Sequence, residues 1–257
     1  MTAIEPQPIP ARRLEWRRAK ARQVITETSR VKSLLLDVAG WPGHLPGQHV
    51  DVRLTGEDGY QAQRSYSIAS PAEVEWLALT VERVENGEVS PYLVDEIRMG
   101  DQFELRGPIG GYFVWTVAMG GPLWLIAAGS GIAPLMAMLR HRDRQSAGVP
   151  SVLLYSARTI EDVIYLKELD AMARRDPDLR VVGALTRKQP EGWTGYRRRI
   201  DKPMLADACY PSDQTPRIYV CGPTPFVEDV SSFLVELGHD AGMIKTERFG
   251  PTGGPAQ

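Results

Sequence analysis

The chain has 257 residues, of which 43% are hydrophobic and 24% charged, and its formal net charge at pH 7 is −2. Such a chain folds as one large or two modest globular domains, and its charge balance argues against general nucleic-acid binding. It has no apolar run of transmembrane length and no apolar signal core, and with only Cys209 and Cys221 it is expected to lack disulfides and to be cytoplasmic.

Residues 15–117 are expected to form an antiparallel β-barrel, preceded by a flexible tail over residues 1–14. Short β-favouring runs alternate there with turns rich in glycine and proline, which is the pattern of a small barrel or sandwich. The expected strands are residues 24–25, 31–38, 49–54, 64–69, 76–84 and 103–106. One helix is expected before the last strand, with Ser90 as its N-cap, Pro91 at its first position and Gly100 after its end.

Residues 118–250 change to apolar strands that alternate with amphipathic helices, the pattern of a parallel sheet covered by helices. The expected strands are residues 123–128, 152–156, 179–185, 218–221 and 243–246, and the expected helices are residues 134–146, 160–174, 202–209 and 225–237. In the last helix, Thr224, Pro225 and Gly238 supply the N-cap, the first position and the stop. We therefore expect a five-stranded α/β domain over residues 118–250 and a tail over residues 251–257.

Arg64-Ser65-Tyr66-Ser67 lies on an expected strand, so Arg64 and Tyr66 share one face and the two serines share the other. An arginine can clamp a phosphate by paired hydrogen bonds, and a tyrosine ring can stack on a flat aromatic cofactor. A serine hydroxyl can bond a reactive ring nitrogen. An ordinary barrel strand with one exposed arginine is the alternative interpretation.

Gly87-Glu88-Val89-Ser90 leads into the expected helix of the first domain. A glycine-containing turn at a helix N-terminus presents free backbone N–H groups and the positive end of the helix dipole, and both favour a pyrophosphate. A capped surface helix without a ligand is the simpler alternative.

Gly129-Ser130-Gly131-Ile132-Ala133-Pro134 follows an apolar strand and opens a helix, the context in which a Gly-x-Gly turn binds a dinucleotide. Gly129 is expected to permit the tight turn, and Gly131 to let a pyrophosphate approach the backbone. Pro134 is expected at the first helical position. No Gly-Lys-Ser or Gly-Lys-Thr follows, so the turn is not a P-loop.

Cys221-Gly222-Pro223 ends the fourth strand of the expected parallel sheet. It therefore lies at the carboxyl edge, where open α/β sheets bind their ligands. For Cys221 the alternative is a small buried residue at a strand end, because free cysteines often only pack.

Together and in this order, the four motifs resemble those of the ferredoxin–NADP reductase superfamily, and the resemblance spans residues 15–250. It implies a barrel that binds FAD and an α/β domain that binds NAD(P). By this resemblance the FAD contacts are Arg64, Ser65, Tyr66 and Ser67, with Gly87, Val89 and Ser90 at the pyrophosphate. FMN-binding relatives carry a Pro-x-Asn-x-Phe pattern where this chain has Gly107-Pro-Ile-Gly-Gly-Tyr-Phe113, and this departure favours FAD.

The resemblance also implies where the nicotinamide cofactor binds. Its contacts would be Gly129, Gly131, Ile132, Pro134, Cys221, Gly222 and Pro223, with Ser67 and Cys221 aligning the two rings for hydride transfer. Four residues follow the second and third strands of the sheet: Ser156, Arg158, Thr186 and Arg187. Arginine and hydroxyl donors suit a 2′-phosphate, so NADPH is expected. NADH stays open, because similar Thr-Arg pairs occur in NADH-using relatives.

Glu247 and Phe249 follow the last expected strand, where members of this superfamily often place an acidic or aromatic residue against the flavin. Glu247 is expected to hydrogen-bond beside the hydride-transfer site, as a third catalytic group with Ser67 and Cys221. Phe249 is expected to cover the flavin ring. A frayed C-terminus is the alternative for both residues.

The resemblance implies an FAD-dependent NAD(P)H oxidoreductase that passes electrons from NADPH to a protein acceptor. Two cysteines are too few for an iron–sulfur cluster and no histidine pair has metal-ligand spacing, so no metal site is expected. The acceptor is expected to be a separate ferredoxin or oxygenase component. A candidate docking face for it is the basic N-terminal cluster: Arg12, Arg13, Arg17, Arg18, Lys20 and Arg22. Two alternatives stay open: a flavin subunit that works only inside a larger complex, and a nucleotide sensor without turnover.

Overall fold

The computed structural model describes residues 14–146, 148–208 and 210–250. Most of the two expected tails, Arg12 and Arg13 of the basic cluster, and Cys209 lie outside these residues. No helix among the described residues is long and apolar enough to cross a membrane.

Six antiparallel strands form the N-terminal sheet. They are β1 (Arg17–Thr26), β2 (Val31–Val38), β3 (His49–Thr55), β4 (Gln61–Ser67), β5 (Leu77–Glu82) and β6 (Gln102–Ile109). Their order is β4-β3-β6-β1-β2-β5, and a bridge between Ile68 and Leu79 joins the two outermost strands. Alternate side chains, such as Val50 and Val52, point inward and are fully buried. The expected antiparallel barrel is confirmed.

Five parallel strands form the C-terminal sheet: β7 (Leu123–Ala128), β8 (Ser151–Ala157), β9 (Leu179–Leu185), β10 (Arg217–Pro223) and β11 (Ile244–Phe249). Their order is β11-β10-β7-β8-β9. The helices are α1 (Ile132–Arg144), α2 (Leu166–Arg175), α3 (Lys202–Ala208) and α4 (Thr224–Glu236). Leu153 belongs to the apolar cluster that includes α1, and Leu154 to the cluster that includes α4. Helices therefore cover both faces, and the expected five-stranded α/β domain is confirmed.

The helix expected after Ser90 differs from the expectation. It is a five-residue π-helical turn, Tyr92–Glu96, and it ends well before Gly100. Ser90 does not cap it, because Ser90 Oγ accepts a hydrogen bond from the Val84 N–H at 3.0 Å. The serine therefore ties the preceding loop to the end of β5, and the short turn is left without a side-chain cap.

The first two helices of the α/β domain also begin differently from the expectation. Pro134 is the third residue of α1, because Gly129–Gly131 form a 3-10 turn that continues directly into the helix. A proline is tolerated there, since the N–H groups of the first turn have no helical partner. The helix expected over residues 160–174 is divided into a 3-10 turn, Ile160–Asp162, and α2, because Tyr165 has a left-handed φ of 60°.

Helix α4 is displaced by one residue from the expectation. It begins at Thr224, so Pro223 is its N-cap and Pro225 lies at its second position. Proline in the first turn removes no helical hydrogen bond. Gly238 follows the helix with φ +88°, a left-handed conformation that favours glycine, and it is the stop that the sequence predicts.

A shared apolar cluster and several polar contacts join the two domains. Arg140 of α1, which pairs with Glu168 of α2 at 2.6 Å, donates from Nη1 to the Ala69 carbonyl of the barrel domain at 2.7 Å. Ser130 Oγ, just before α1, donates to Glu82 at the end of β5 at 2.7 Å. These contacts set the carboxyl edge of the parallel sheet against the barrel.

Candidate active site

Ser67 ends β4 and contacts a residue 180 positions later in the chain. Its Oγ donates to Glu247 Oε1 on β11 at 2.6 Å. Ser65 lies on the same face of β4, as expected, but its Oγ donates to Asp51 Oδ1 of the neighbouring strand at 2.6 Å. Ser67 is thus the serine of this motif that reaches the other domain.

Arg64 and Tyr66 lie on the opposite face of β4. The Tyr66 ring packs against the barrel core, and its burial raises the pKa of the phenol far above the usual value, so the ring stays neutral. The Arg64 side chain is 55% exposed and pairs with Glu88 Oε2 at 3.1 Å. The Tyr60 hydroxyl donates to the other oxygen of the same carboxylate. Glu88 therefore occupies the guanidinium that is expected to hold a phosphate.

The loop over residues 84–90 folds back on the end of β5. The Gly87 N–H donates to the Val84 carbonyl at 3.1 Å, and a Cβ on Gly87 would lie equally close to that oxygen. Ser90 closes the loop through the Val84 N–H. Val89 is fully buried in the barrel core, so its side chain does not face a ligand.

The turn between β7 and α1 depends on both of its glycines, for different reasons. Gly129 has φ +55°, as a tight turn requires, and the Tyr155 hydroxyl donates to its carbonyl at 3.0 Å. A Cβ on Gly131 would lie 2.3 Å from the carbonyl oxygen of Cys221. Its missing side chain therefore lets α1 approach β10. The expected approach of a pyrophosphate to its backbone stays a prediction. Ile132 and Pro134 are buried, so their side chains do not face a nucleotide.

Cys221 and Glu247 are register partners on the adjacent strands β10 and β11. Burial raises the pKa of the Cys221 thiol well above its usual value, so the thiol is neutral at pH 7. Burial also raises the pKa of the Glu247 carboxyl, and the hydrogen bond from Ser67 opposes this rise. Phe249 lies two residues beyond on the same face and packs against the core. A hydroxyl, a thiol and a carboxyl group therefore meet where the two domains face each other.

Gly222 and Pro223 carry the chain from β10 into α4. A Cβ on Gly222 would lie 2.6 Å from the ring of Phe226, so only glycine lets the helix close on the strand end. Pro223 serves as the N-cap. Both residues shape the carboxyl edge of the sheet beside Cys221.

Ser156, Arg158, Thr186 and Arg187 gather at the ends of β8 and β9. The Arg187 N–H donates to the Arg158 carbonyl at 2.9 Å, and Thr186 Oγ1 donates to the Ala157 carbonyl at 3.3 Å. Ser156 is buried, whereas both arginines are exposed. Lys188 is a further exposed cation beside them. Three exposed cations and two hydroxyl groups therefore lie at this edge of the sheet, with Glu161 near Lys188.

The residues of the barrel fit a flavin dinucleotide. Arg64 offers a guanidinium for a pyrophosphate, and Tyr66 offers a flat ring. Tyr60 and Val84 are 59% and 58% exposed, and they border the loop over residues 84–90 with apolar surface. Among the described residues, no group of three His, Cys, Asp or Glu side chains could hold a metal ion.

Replacing Glu247 by glutamine is expected to change how stability depends on pH. The pKa of Glu247 is raised in the folded chain above the usual 4.5, mainly by burial, so the folded state holds this proton more tightly than the unfolded state. The free energy of unfolding therefore falls as pH rises from about 4.5 through the raised pKa. Urea unfolding of wild type and Glu247→Gln at several pH values should show the variant gaining relative stability across that window. A difference that does not change with pH would contradict this account.

Three residues that position the site were missed in the sequence. Glu82 accepts from Ser130, Tyr155 fixes Gly129, and Glu88 occupies Arg64. Glu88 lies inside the Gly87–Ser90 motif, and a carboxylate at an expected phosphate site was a usable signal for its pairing with an arginine. Glu82 and Tyr155 lie on strands far from their partners in sequence, and no local pattern marks them.

Comparison with known proteins covers both halves of the chain. Residues 20–114 match the family described as oxidoreductase FAD-binding domain, and residues 125–232 match the family described as oxidoreductase NAD-binding domain. The glycine betaine monooxygenase reductase subunit of Pseudomonas aeruginosa is 34% identical over 209 residues, which are 80% of this chain and 56% of that protein. This chain therefore spans about half the length of that relative.

Two further proteins extend the comparison. The NADH-cytochrome b5 reductase 1 of Kluyveromyces lactis is 30% identical over 197 residues, which are 76% of this chain and 69% of that protein. The crystal structure of a ferredoxin NADP+ reductase from Neisseria gonorrhoeae with bound FAD and NADP superposes with a TM-score of 0.77 and 19% identity, over 91% of this chain and 98% of the other. At 19% identity, the similarity to the reductase from Neisseria gonorrhoeae shows a shared fold only.

Proposed function

This chain belongs to the ferredoxin–NADP reductase superfamily of FAD- and NAD-binding oxidoreductases, and on that premise we propose that it passes electrons from NADPH through FAD to a protein acceptor. The acceptor is a ferredoxin or another iron–sulfur protein, such as an oxygenase component. The relative from Pseudomonas aeruginosa, named a monooxygenase reductase subunit, supports an acceptor of this kind. The cytoplasmic setting stays a prediction from the low cysteine content.

One contact carries the proposal: the 2.6 Å hydrogen bond from Ser67 Oγ to Glu247 Oε1. It joins the end of the barrel motif to the last strand of the nucleotide domain, beside the register partner Cys221. Two rings that exchange a hydride must lie face to face, and such a junction is where the two halves can hold them.

Bound FAD would supply the redox chemistry, which is hydride uptake from the nicotinamide and release of single electrons. In our proposal Arg64 and the backbone of residues 87–90 bind its pyrophosphate, Tyr66 packs on its ring system, and Phe249 covers the ring. Ser67 and Glu247 hold the proton network beside the reacting atoms. Cys221, kept as a neutral thiol, limits how closely the nicotinamide approaches.

NADPH is the proposed donor because of the charge at the ends of β8 and β9. Arg158 and Arg187 are exposed and backbone-linked, and Thr186 adds a hydroxyl. Two guanidinium groups suit a 2′-phosphate better than a free ribose diol. The additional cation Lys188 supports the same choice.

The test is anaerobic mixing of the purified chain with NADPH, and separately with NADH, while the visible spectrum is recorded. A yellow protein that bleaches faster with NADPH is the expected result. Faster bleaching with NADH would overturn the donor and the roles of Arg158 and Arg187. A colourless protein that takes up neither FAD nor FMN would overturn the function and favour a nucleotide sensor. Reduction of a one-electron dye by the isolated chain separates an independent reductase from a subunit that works only in a complex.

Replacing Glu88 by glutamine is expected to tighten FAD binding. Glu88 pairs with Arg64 at 3.1 Å and is 45% exposed, so a pyrophosphate must displace this carboxylate. An exposed pair of this kind is worth about 0.2–1 kcal/mol, and removing it should lower the Kd for FAD by up to about fivefold. Titration of the apoprotein, followed by quenching of FAD fluorescence, measures the effect.

Glu85→Gln is the matched control for this prediction. Glu85 lies in the same loop, and its replacement removes the same charge. Its carboxylate lies 3.8 Å from Arg30 and does not pair with Arg64. Its Kd should stay within about twofold of wild type. Weaker FAD binding by Glu88→Gln would mean that the carboxylate holds Arg64 in place for the flavin.

A further inference from the structure

A cleft of about 340 Å³ opens where the connection after β6 meets strands β10 and β11. Its rim carries two large exposed hydrophobic side chains, Tyr112 at 59% and Met119 at 36%. It is also lined by Met243, Arg217 and Lys245, and no acidic residue lines it. We call these five residues the Tyr112 patch.

The two cations of the Tyr112 patch make contacts other than ion pairs. Lys245 Nζ lies 4.5 Å from the centre of the Tyr112 ring, and Arg217 Nε donates to the Met119 carbonyl at 2.6 Å. Among the described residues, neither cation forms an ion pair. Aromatic residues, methionine and arginine are enriched in protein interfaces, and contiguous exposed apolar groups on a soluble protein mark such surfaces. The charge complement of this patch is acidic.

The Tyr112 patch also adjoins the candidate active site. Lys245 lies two residues before Glu247 on the same face of β11, and these positions pair with Tyr219 and Cys221 of β10. Residues two apart on a strand are separated by about 7 Å. On the barrel side, Gly110 precedes the patch, and a Cβ on it would lie 3.5 Å from Nδ1 of His49, the cross-strand partner of Ser67. A protein docked on the patch would therefore reach the edge of the site that holds the proposed flavin.

The basic N-terminal cluster is less well placed. Its described members lie on or beside β1, which is separated from β4 by two strands in either direction around the barrel. Arg17 and Arg22 are also offset by Glu15 at 3.6 Å and Asp37 at 3.7 Å. A partner bound there would face the side of the barrel opposite the β4 motif.

From these observations we propose that the Tyr112 patch, and not the basic N-terminal cluster, docks the electron acceptor, and that this acceptor is a protein with an acidic face. The proposal rests on the proposed function, because it assigns the partner of the same site. Lys245 and Arg217 steer the acidic face, and Tyr112 with Met119 supplies the apolar centre of the contact.

The test uses a recombinant [2Fe–2S] ferredoxin of acidic net charge as the acceptor and the FAD-loaded full chain. One NADPH reduces two ferredoxins and leaves NADP+ and one proton, so the stoichiometry checks the reaction. The rate constant for ferredoxin reduction should fall about tenfold for Lys245→Glu at low salt, and the loss should shrink as salt rises. Tyr112→Ser should also slow the reaction, and its loss should persist at high salt.

Arg18→Glu, on the exposed side of β1, is the matched control and should leave the rate unchanged. Reduction of neutral benzoquinone and bleaching by NADPH should be unchanged in all three variants. The proposal is overturned if Arg18→Glu slows ferredoxin reduction as much as Lys245→Glu, or if the wild type reduces benzoquinone but not the acidic ferredoxin. Failure of NADPH to bleach the wild type would instead count against the proposed function.

Discussion

Replacing Gly131 by alanine is expected to lower the free energy of unfolding by about 1–3 kcal/mol and to weaken NADPH binding strongly. The new Cβ would lie 2.3 Å from the Cys221 carbonyl oxygen and 2.8 Å from the Gly222 nitrogen. Both are backbone atoms, which no side-chain rotation can move away. Helix α1 must therefore separate from β10, and the turn that we propose binds the nucleotide moves with it. Urea unfolding and NADPH titration measure the two effects.

Gly111→Ala is the matched control for Gly131→Ala. A Cβ at Gly111 meets no atom within 4 Å, and its backbone is not in the left-handed region. Its free energy of unfolding should stay within about 0.5 kcal/mol of wild type. Equal free energies of unfolding for the two variants would contradict this prediction, because α1 would then move away from β10 without loss of stability.

Replacing Ser67 by alanine is expected to slow the reduction of bound FAD by NADPH about 100-fold. The substitution removes the 2.6 Å hydrogen bond to Glu247 that joins the two domains. Small displacements of reacting groups cost about this factor, while loss of one hydrogen bond lowers stability by only about 1 kcal/mol. Anaerobic stopped-flow absorbance gives the rate, and urea unfolding gives the stability.

Ser231→Ala is the matched control for Ser67→Ala. It removes a serine hydrogen bond of the same length that does not join the two domains. Ser231 Oγ donates to the Val227 carbonyl inside α4 at the same 2.6 Å, and neither residue is among the candidate site residues. Its rate of flavin reduction should equal that of wild type. If Ser67→Ala were also within twofold of wild type, the serine would not align the reacting rings.

Most of the fold was predictable from the sequence, because it is encoded in local periodicity. Strands β2, β7 and β9 have the expected bounds, and Gly238 ends α4 where its sequence predicts. A run of alternating or continuous apolar residues indicates which face of an element is buried, and this does not depend on which residues pack against that face. The order of the motifs likewise predicted a flavin domain followed by a nucleotide domain.

The errors occur where a residue has a competing partner from another part of the chain. Ser90 was expected to cap a helix, but the Val84 N–H takes its hydroxyl. At Gly131 the sequence did not reveal that the backbone of Cys221 leaves no room for a side chain. A sequence motif predicts which residue type a position requires. It does not show which neighbouring residue in the fold causes that requirement.

The sequence by itself determined the two-domain architecture, the residues of the β4 motif, the Gly-x-Gly turn and the last strand as site candidates. Only the tertiary structure decided that Ser67 meets Glu247, that Glu88 occupies Arg64, and that Lys245 and Tyr112 form one surface beside the site. Each of these contacts joins residues from different elements, and the Ser67 contact spans 180 positions. Local sequence patterns determine the burial of each face and the type of each element. Contacts of this range depend on the order of the strands and on the packing of the domains, and no short segment of the sequence determines either.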